Sequence, residues 1–200
     1  VPTQRGPIIM LSAQGGSRGP YMSFYLTQSL HRSLQQRRDQ TATVNGSREH
    51  SWKQFGDRVA RLAGALQALG VARGDRVAMM ALNSDRYLEY YFAVWWAGAV
   101  VNPVNIRWSP AEVAYSLDDC DTRVLIVDDM FKAAVPDLKQ RSKTLTTLIH
   151  AGDGDTPQGM LSWETLISDH APVPDAFAHG EELAGVFYTG AVSYTHLRAH

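Results

Sequence analysis

Short apolar runs that alternate with helix-like segments limit what this chain can fold into. The predicted strands, which consist mostly of apolar residues, are 77–82, 99–104, 124–127, 145–149 and 183–188. A strand covered by helices on both faces is apolar throughout, whereas a half-exposed strand alternates between apolar and polar residues. Because strands and helices alternate with short connections, the sequence predicts an α/β fold with a mostly parallel sheet flanked by helices.

Capping signals indicate where two of the helices begin. Ser51 stands three residues before Gln54, and Ser109 stands three residues before Glu112. In a capping box the hydroxyl accepts from the third helical amide, while the Glu or Gln side chain accepts from the amide of the cap. After the first box, apolar residues recur at steps of three and four until Gly70, which favours a helix stop there.

Three weaker signals concern the segments around these helices. Ser84 is expected to cap a helix over 85–97, and Pro136 is expected to bend or split a helix over 130–141. Asn45-Gly46 is typical of a hairpin turn after an edge strand.

Charge and composition exclude several classes of partner. The 200 residues carry a net charge of −1, which gives no electrostatic reason to expect a nucleic acid. The longest apolar run, residues 92–101, is half of the roughly 20 residues that a membrane-spanning helix needs. A single cysteine excludes an internal disulfide and favours a reducing compartment, so we expect a cytoplasmic protein. The oligomeric state is left open.

The lone cysteine, Cys120, could be a reactive thiol or an ordinary packed residue. It lies among Asp118, Asp119 and Asp121, whose carboxylates should raise the thiol pKa and so oppose reactivity. We therefore expect no catalytic role for it.

Several motifs occur in the order and spacing of a known family. They are 66–71 (LQALGV), 73–77 (RGDRV), 82–84 (LNS), 96–100 (WAGAV), 102–105 (NPVN), 109–112 (SPAE) and Asp128-Asp129. In this combination the chain resembles the amino-terminal subdomain of adenylate-forming (AMP-binding) enzymes, especially medium- and long-chain fatty-acid CoA ligases. The resemblance implies that the α/β fold is an incomplete, partial form of that subdomain.

The resemblance also implies a reaction. In this family a carboxylate attacks the α-phosphate of Mg-ATP, which releases pyrophosphate, and the thiol of CoA then displaces AMP. The implied cofactors are ATP, Mg²⁺ and CoA, and the implied substrate is a carboxylic acid, here a fatty acid. Two alternatives stay open: an acyl-AMP ligase that loads a carrier protein, and a non-catalytic truncated binding module.

The implied ATP site begins at Thr189 and Gly190. In the family, a strand ending in Tyr-Thr-(Ser or Gly)-Gly leads into a loop of Gly, Ser and Thr residues that closes with Pro-Lys-Gly and binds the ATP phosphates. Here Tyr188, Thr189 and Gly190 match its opening, but residues 191–200 contain neither glycine nor lysine. No catalytic residue and no metal ligand is expected in this chain, because the family's catalytic segments come later. His196 and His200 lack a third ligand.

These features divide the chain into three parts. Residues 1–22 are rich in Gly and Pro and are expected to be a disordered or non-native leader. Residues 23–190 form the partial synthetase domain, and residues 191–200 are expected to be a foreign tail. The fragment as given is therefore expected to be inactive.

Two features near the site have both a structural and a functional interpretation. The aromatic residues of the segment 87–96 could line an acyl pocket, but at helical spacing they are more typical of packing. Pro103 removes one backbone donor from its strand and should limit pairing there, which favours a structural role.

The foreign-tail interpretation is testable at the gene. We expect the genomic frame after the codon of Gly190 to encode a loop of Gly, Ser and Thr with a nearby lysine. Sequencing the locus checks this, and finding the ten codons of residues 191–200 contiguous there would contradict it.

Overall fold

Nine strands and six α-helices, all within residues 8–12 and 24–188, make up the part of the chain that the computed structural model describes; for residues 8–12 only the backbone is described. In chain order they are β1 (Ile8–Ser12), α1 (Gln28–Gln36), β2 (Thr41–Asn45), β3 (Arg48–Ser51), α2 (Trp52–Ala68), β4 (Arg76–Met80), α3 (Asp85–Trp96), β5 (Val100–Pro103), α4 (Pro110–Asp119), β6 (Val124–Val127), a 3₁₀ turn (Lys132–Ala134), α5 (Val135–Arg141), β7 (Thr147–His150), β8 (Leu161–Ser162), α6 (Trp163–Asp169) and β9 (Leu183–Tyr188).

The main sheet has seven strands in the order β1-β9-β5-β4-β6-β7-β8. All neighbouring pairs are parallel except β1 and β9. Apolar side chains of β4 and β6 are buried on both faces, in one core cluster that includes α2, α3 and α6 and another that includes α4 and α5. The predicted α/β fold with a mostly parallel sheet is confirmed.

A strand occurs in the segment where we expected no order. Ile8–Ser12 pairs antiparallel with β9, from Ile8 opposite Tyr188 to Ser12 opposite Leu183. The expectation of disorder is therefore wrong for these five residues, because an apolar run can satisfy its backbone groups on the open edge of a neighbouring strand. The rest of 1–22 lies outside the described residues, so the leader assignment stays a prediction.

Both predicted capping boxes form. The Ser51 hydroxyl accepts from the Gln54 amide at 3.3 Å, and the Ser51 amide donates to Gln54 Oε1 at 2.8 Å. Ser109 and Glu112 make the same pair at 3.4 and 2.8 Å. These contacts satisfy amides that have no partner within the helix.

The expected side-chain cap at Ser84 is wrong. Ser84 is the residue before α3, but among the described residues its hydroxyl makes no capping hydrogen bond. Its backbone is extended (φ −157°, ψ 176°), and its carbonyl accepts from the Tyr87 amide instead. In the first turn, Asp85 provides the negative charge that favours a helix start.

Pro136 splits its helix as predicted. A 3₁₀ turn covers Lys132–Ala134, and α5 begins at Val135 with the proline in its first turn. That position suits proline, since its missing amide would have no helical partner there.

A carboxylate joins the β2–β3 hairpin to the main sheet. The hairpin turns at Asn45-Gly46, where Gly46 has a φ of +59°, as the sequence predicts. Asp85 accepts from Asn45 Nδ2 at 2.9 Å and from Arg48 Nε and Nη2 at 2.8 and 2.9 Å. Burial acts to raise the pKa of Asp85, but the hydrogen bonds from Arg48 and Asn45 outweigh it and lower the pKa to about 2.

We predict that Ser51→Ala lowers the free energy of unfolding by about 1 kcal/mol, because it removes a formed cap. Ser84→Ala is the matched control and should cost less than about 0.5 kcal/mol, since that serine is also a helix cap but makes no capping bond. Urea unfolding of both variants measures this. Equal losses would contradict the distinction.

We predict that Asp85→Asn changes how stability depends on pH. The folded pKa lies below the ordinary 3.8, so ionised Asp85 stabilises the fold above about pH 4 and this contribution is lost as the pH falls toward 2. The stability difference between wild type and Asp85→Asn should shrink by about 2 kcal/mol between pH 5 and pH 2. Asp57→Asn, which removes an exposed carboxylate of α2 paired with Arg61, is the surface control and should change stability by less than about 1 kcal/mol at pH 5. Urea unfolding across this range tests the prediction, and a constant difference for Asp85→Asn would refute it.

Candidate functional site

The carboxyl ends of β4, β5, β6, β7 and β9 lie at one edge of the sheet, because these strands are parallel. In open α/β sheets, ligands bind in the crevices outside this edge, where neighbouring strands send their connections to opposite sides. The loops after β4, β6 and β7 and the end of β9 therefore form the candidate site.

A cleft between the loops after β4, β6 and β7 is lined by charged groups. Its walls include Arg48, Arg86 and Asp153. Asp153 bonds to Arg48 Nη1 and accepts from Arg86 Nη1 at 2.9 Å. Arg86 also donates to the carbonyl of Ala151 at 3.0 Å and to Glu164 Oε1. Because protein oxygens already occupy these guanidinium groups, the cleft holds its loops together and offers little free positive charge to an anion.

The two carboxylates that follow β6 hold the neighbouring loops. Asp128 accepts from the Leu82 amide at 2.8 Å, which fixes the loop after β4. Asp129 accepts from the amides of Asp153 and Gly154 at 2.6 and 2.9 Å, and from Lys132 Nζ at 2.8 Å. The Lys132 hydrogen bond is the main reason that the pKa of Asp129 lies well below its usual range. Asp128-Asp129, part of the motif set, therefore acts structurally.

Tyr188 at the end of β9 is held by a side chain of α4. Its hydroxyl donates to Asp119 Oδ2 at 2.8 Å, and its ring meets Trp108 edge-on with centroids 6.2 Å apart. Burial first, then the neighbouring Asp119 and Cys120, raise the pKa of Tyr188 far above its ordinary value. The phenol therefore stays protonated and remains a donor at neutral pH.

Cys120 packs in a polar network beside this tyrosine. Its sulfur lies 3.2 Å from Asn102 Nδ2, 3.1 Å from Thr122 Oγ1 and 3.1 Å from the Ser116 carbonyl. The pKa of the thiol is raised, as the sequence predicts, but burial is the main cause and Asp119 contributes less. Thr122, Tyr188 and Arg76 act to lower this pKa, but burial outweighs them, and the raised pKa disfavours the reactive thiolate.

The aromatic residues of α3 make packing contacts. Tyr90 is fully buried, and its hydroxyl donates to the Val77 carbonyl at 2.7 Å and accepts from the Asn102 amide at 2.8 Å. The indole nitrogens of Trp95 and Trp96 donate to the carbonyls of Ala184 and Val173. Tyr87 and Tyr91 pack against the same core cluster, which supports the packing interpretation over an acyl pocket.

The predicted ATP-binding residues Thr189 and Gly190 lie outside the described residues, as do His196 and His200. Tyr188 is the last described residue before them.

Within residues 8–12 and 24–188, no group of three or more His, Cys, Asp or Glu side chains is placed to hold a metal ion. No helix in the same ranges is long and apolar enough to cross a membrane.

The sequence did not reveal the contact between Tyr188 and Asp119. The two residues are 69 positions apart, and neither the residue types nor their spacing connects them. The one available signal is the position of each: Asp119 lies shortly after the helix predicted to begin at Ser109, and Tyr188 ends a predicted strand.

Several known proteins are similar to this chain in sequence and in fold. A long-chain-fatty-acid–CoA ligase of Thermus thermophilus is 39% identical over 126 residues, which is 62% of this chain and 23% of that protein. A peroxisomal benzoate–CoA ligase of Arabidopsis thaliana is 31% identical over 149 residues, 70% of this chain and 26% of that protein. The chain thus spans about a quarter of the length of these relatives.

A crystal structure of an anthranilate CoA ligase in complex with anthranoyl-AMP superimposes with a TM-score of 0.76 and 27% identity, over 82% of this chain and 32% of that one. The family described as AMP-binding enzyme matches residues 30–191, which is most of the chain. The resemblance seen in the motifs is therefore confirmed, and the chain belongs to the AMP-binding enzyme family.

Proposed function

We propose that the chain is the amino-terminal part of an ATP-dependent acyl-CoA synthetase, and that Thr189 and Gly190 open its phosphate-binding loop. The observation that supports this most is the placement of β9. This strand runs parallel to β5 and ends at Tyr188, at the edge where all the parallel strands end. The next two residues are a threonine and a glycine, in the order that the family uses to enter the loop.

The chemistry of these two residues fits a polyphosphate. A glycine lets the backbone approach phosphate oxygens closely, and its amide can donate to them. The hydroxyl of Thr189 is a second donor. No described residue is assigned to Mg²⁺, because this part of the chain brings no suitable carboxylate cluster together.

The proposed reaction has two steps in the complete protein. A carboxylate oxygen bonds to the α-phosphorus of ATP as the bond to the pyrophosphate oxygen breaks, and the thiol of CoA then replaces AMP on the acyl carbon. The chain's own contribution is to orient the phosphates and donate hydrogen bonds to them, since such reactions gain most of their rate from positioning and electrostatic stabilisation.

A fatty acid is the proposed substrate, with CoA as the acceptor. The relative at 39% identity is named for long-chain fatty acids, whereas the one at 31% is named for benzoate. A cytoplasmic location is part of the proposal, supported by the single cysteine in the sequence.

We predict that the longer protein containing this chain catalyses acid-dependent exchange of pyrophosphate into ATP. Long-chain fatty acids should give higher kcat/KM than benzoate, and product formation should require CoA. Thr189→Val should lower the exchange rate by about tenfold or more, because it removes a donor to a charged phosphate. Thr146→Val, an exposed threonine just before β7 at the opposite edge of the sheet, is the control and should leave the rate unchanged.

The same assay on the 200-residue chain should show no exchange, because residues 191–200 lack the glycines and lysine of the loop. Turnover by this chain, or a longer protein without acid-dependent exchange, would contradict the proposal.

A further inference from the structure

The β5 side of β9 has little backbone pairing. Val101 opposite Gly185 is the single registered pair between these strands among the described residues. The amides of Val100 and Val104 donate away from β9, to the carbonyls of Asp75 and Met79 at 2.8 and 2.9 Å. Since amides alternate in direction along a strand, position 103 faces β9, and Pro103 has no amide to donate. The expected limit on pairing at Pro103 is observed, since no registered pair with β5 follows Gly185 in the described part of β9.

Two side chains hold β9 where the ladder is short. Near its start, Trp95 Nε1 donates to the carbonyl of Ala184 at 2.9 Å. At its end, the Tyr188 hydroxyl donates to Asp119 Oδ2 at 2.8 Å. A carboxylate can only accept, so the protonated phenol is the donor. A hydrogen bond to a charged group is worth more than one between neutral groups.

The carboxylate that holds Tyr188 is itself fixed from elsewhere. Asp119 is the last residue of α4, two positions after the fully buried Leu117. The neighbouring Asp118 accepts from Ser142 Oγ at 2.6 Å and from the amides of Lys143 and Thr144 at 2.9 and 3.1 Å. These bonds attach the end of α4 to the segment before β7, so its position does not depend on β9.

We propose that Asp119 is a positioning residue for ATP: by holding the Tyr188 hydroxyl, it fixes the backbone from which Thr189 and Gly190 enter the phosphate loop. The inference rests on the proposed function. Tyr188 is bonded through its side chain on one side and paired with β1 on the other, so the residue before the loop has a defined position. Loss of the hydrogen bond should therefore impair ATP binding more than binding of the acid, which this segment is not proposed to contact.

The test uses the longer protein. Asp119→Ala and Tyr188→Phe should each raise KM for ATP by about tenfold while changing KM for the acid less than about twofold. The double variant should be no worse than either single one, because both remove the same bond. Asp119→Asn should recover much of the loss, since its amide oxygen can still accept from the phenol.

Ser162→Ala is the matched control. It removes the hydroxyl that accepts from the Thr165 amide at the start of α6, next to β8 and at the other end of the strand order from β9, and it should lower thermal stability without changing KM for ATP. Additive effects in the double variant, or equal changes in both KM values, would show a general structural role and overturn the inference.

Hydrogen–deuterium exchange separates this inference from the proposed function. Amides in the peptide covering residues 183–190 should exchange faster in Asp119→Ala than in wild type, and no faster in Ser162→Ala. Unchanged exchange in Asp119→Ala refutes the proposed positioning role of Asp119, whether or not the protein is active. A wild-type protein without pyrophosphate exchange refutes the proposed function instead.

Discussion

Parallel pairing of β4 with β5 on one side and β6 on the other determines the position of nearly every other segment. The pairs Val77–Val101 and Val77–Val124 place three apolar strands side by side, and helices cover both faces. Parallel strands need crossover connections, so β4, β5 and β6 are each followed by a helix that returns the chain to the opposite edge. The carboxyl ends therefore meet at one edge, and the loops that leave them become neighbours although they are far apart in sequence.

Carboxylates hold loops in place at both ends of the parallel strands. Asp85 joins the hairpin to α3, Asp118 joins α4 to the segment before β7, and Asp128 and Asp129 join the loops after β4 and β7. Each accepts from backbone amides, from basic side chains or from both, which compensates for the cost of removing the charge from water. Asp128 and Asp129, which belong to the family's motif set, thus hold neighbouring loops together. The proposed chemistry lies instead at the end of β9.

Apolar runs and capping pairs were sufficient to predict most of the fold. The run at β6 is buried at all four positions, and the Ser51 and Ser109 boxes form because both of their partners are local. Ser84 has the residue type and the extended backbone of a cap, but among the described residues its hydroxyl makes no capping bond, which the local sequence does not reveal. Pairing of β1 with β9 could not be predicted, because an edge accepts any compatible apolar strand.

The sequence by itself determined most of the elements of secondary structure, the class of fold and the family, since these depend on local periodicity, on capping and on the order of motifs. Only the tertiary structure decided which charged groups meet. Asp119 and Tyr188 are 69 positions apart, and no local pattern relates a helix end to a strand end across that distance. The contact exists because α4 connects β5 to β6, whereas β9 pairs with β5 in the sheet. Asp119 and Tyr188 therefore both lie near β5.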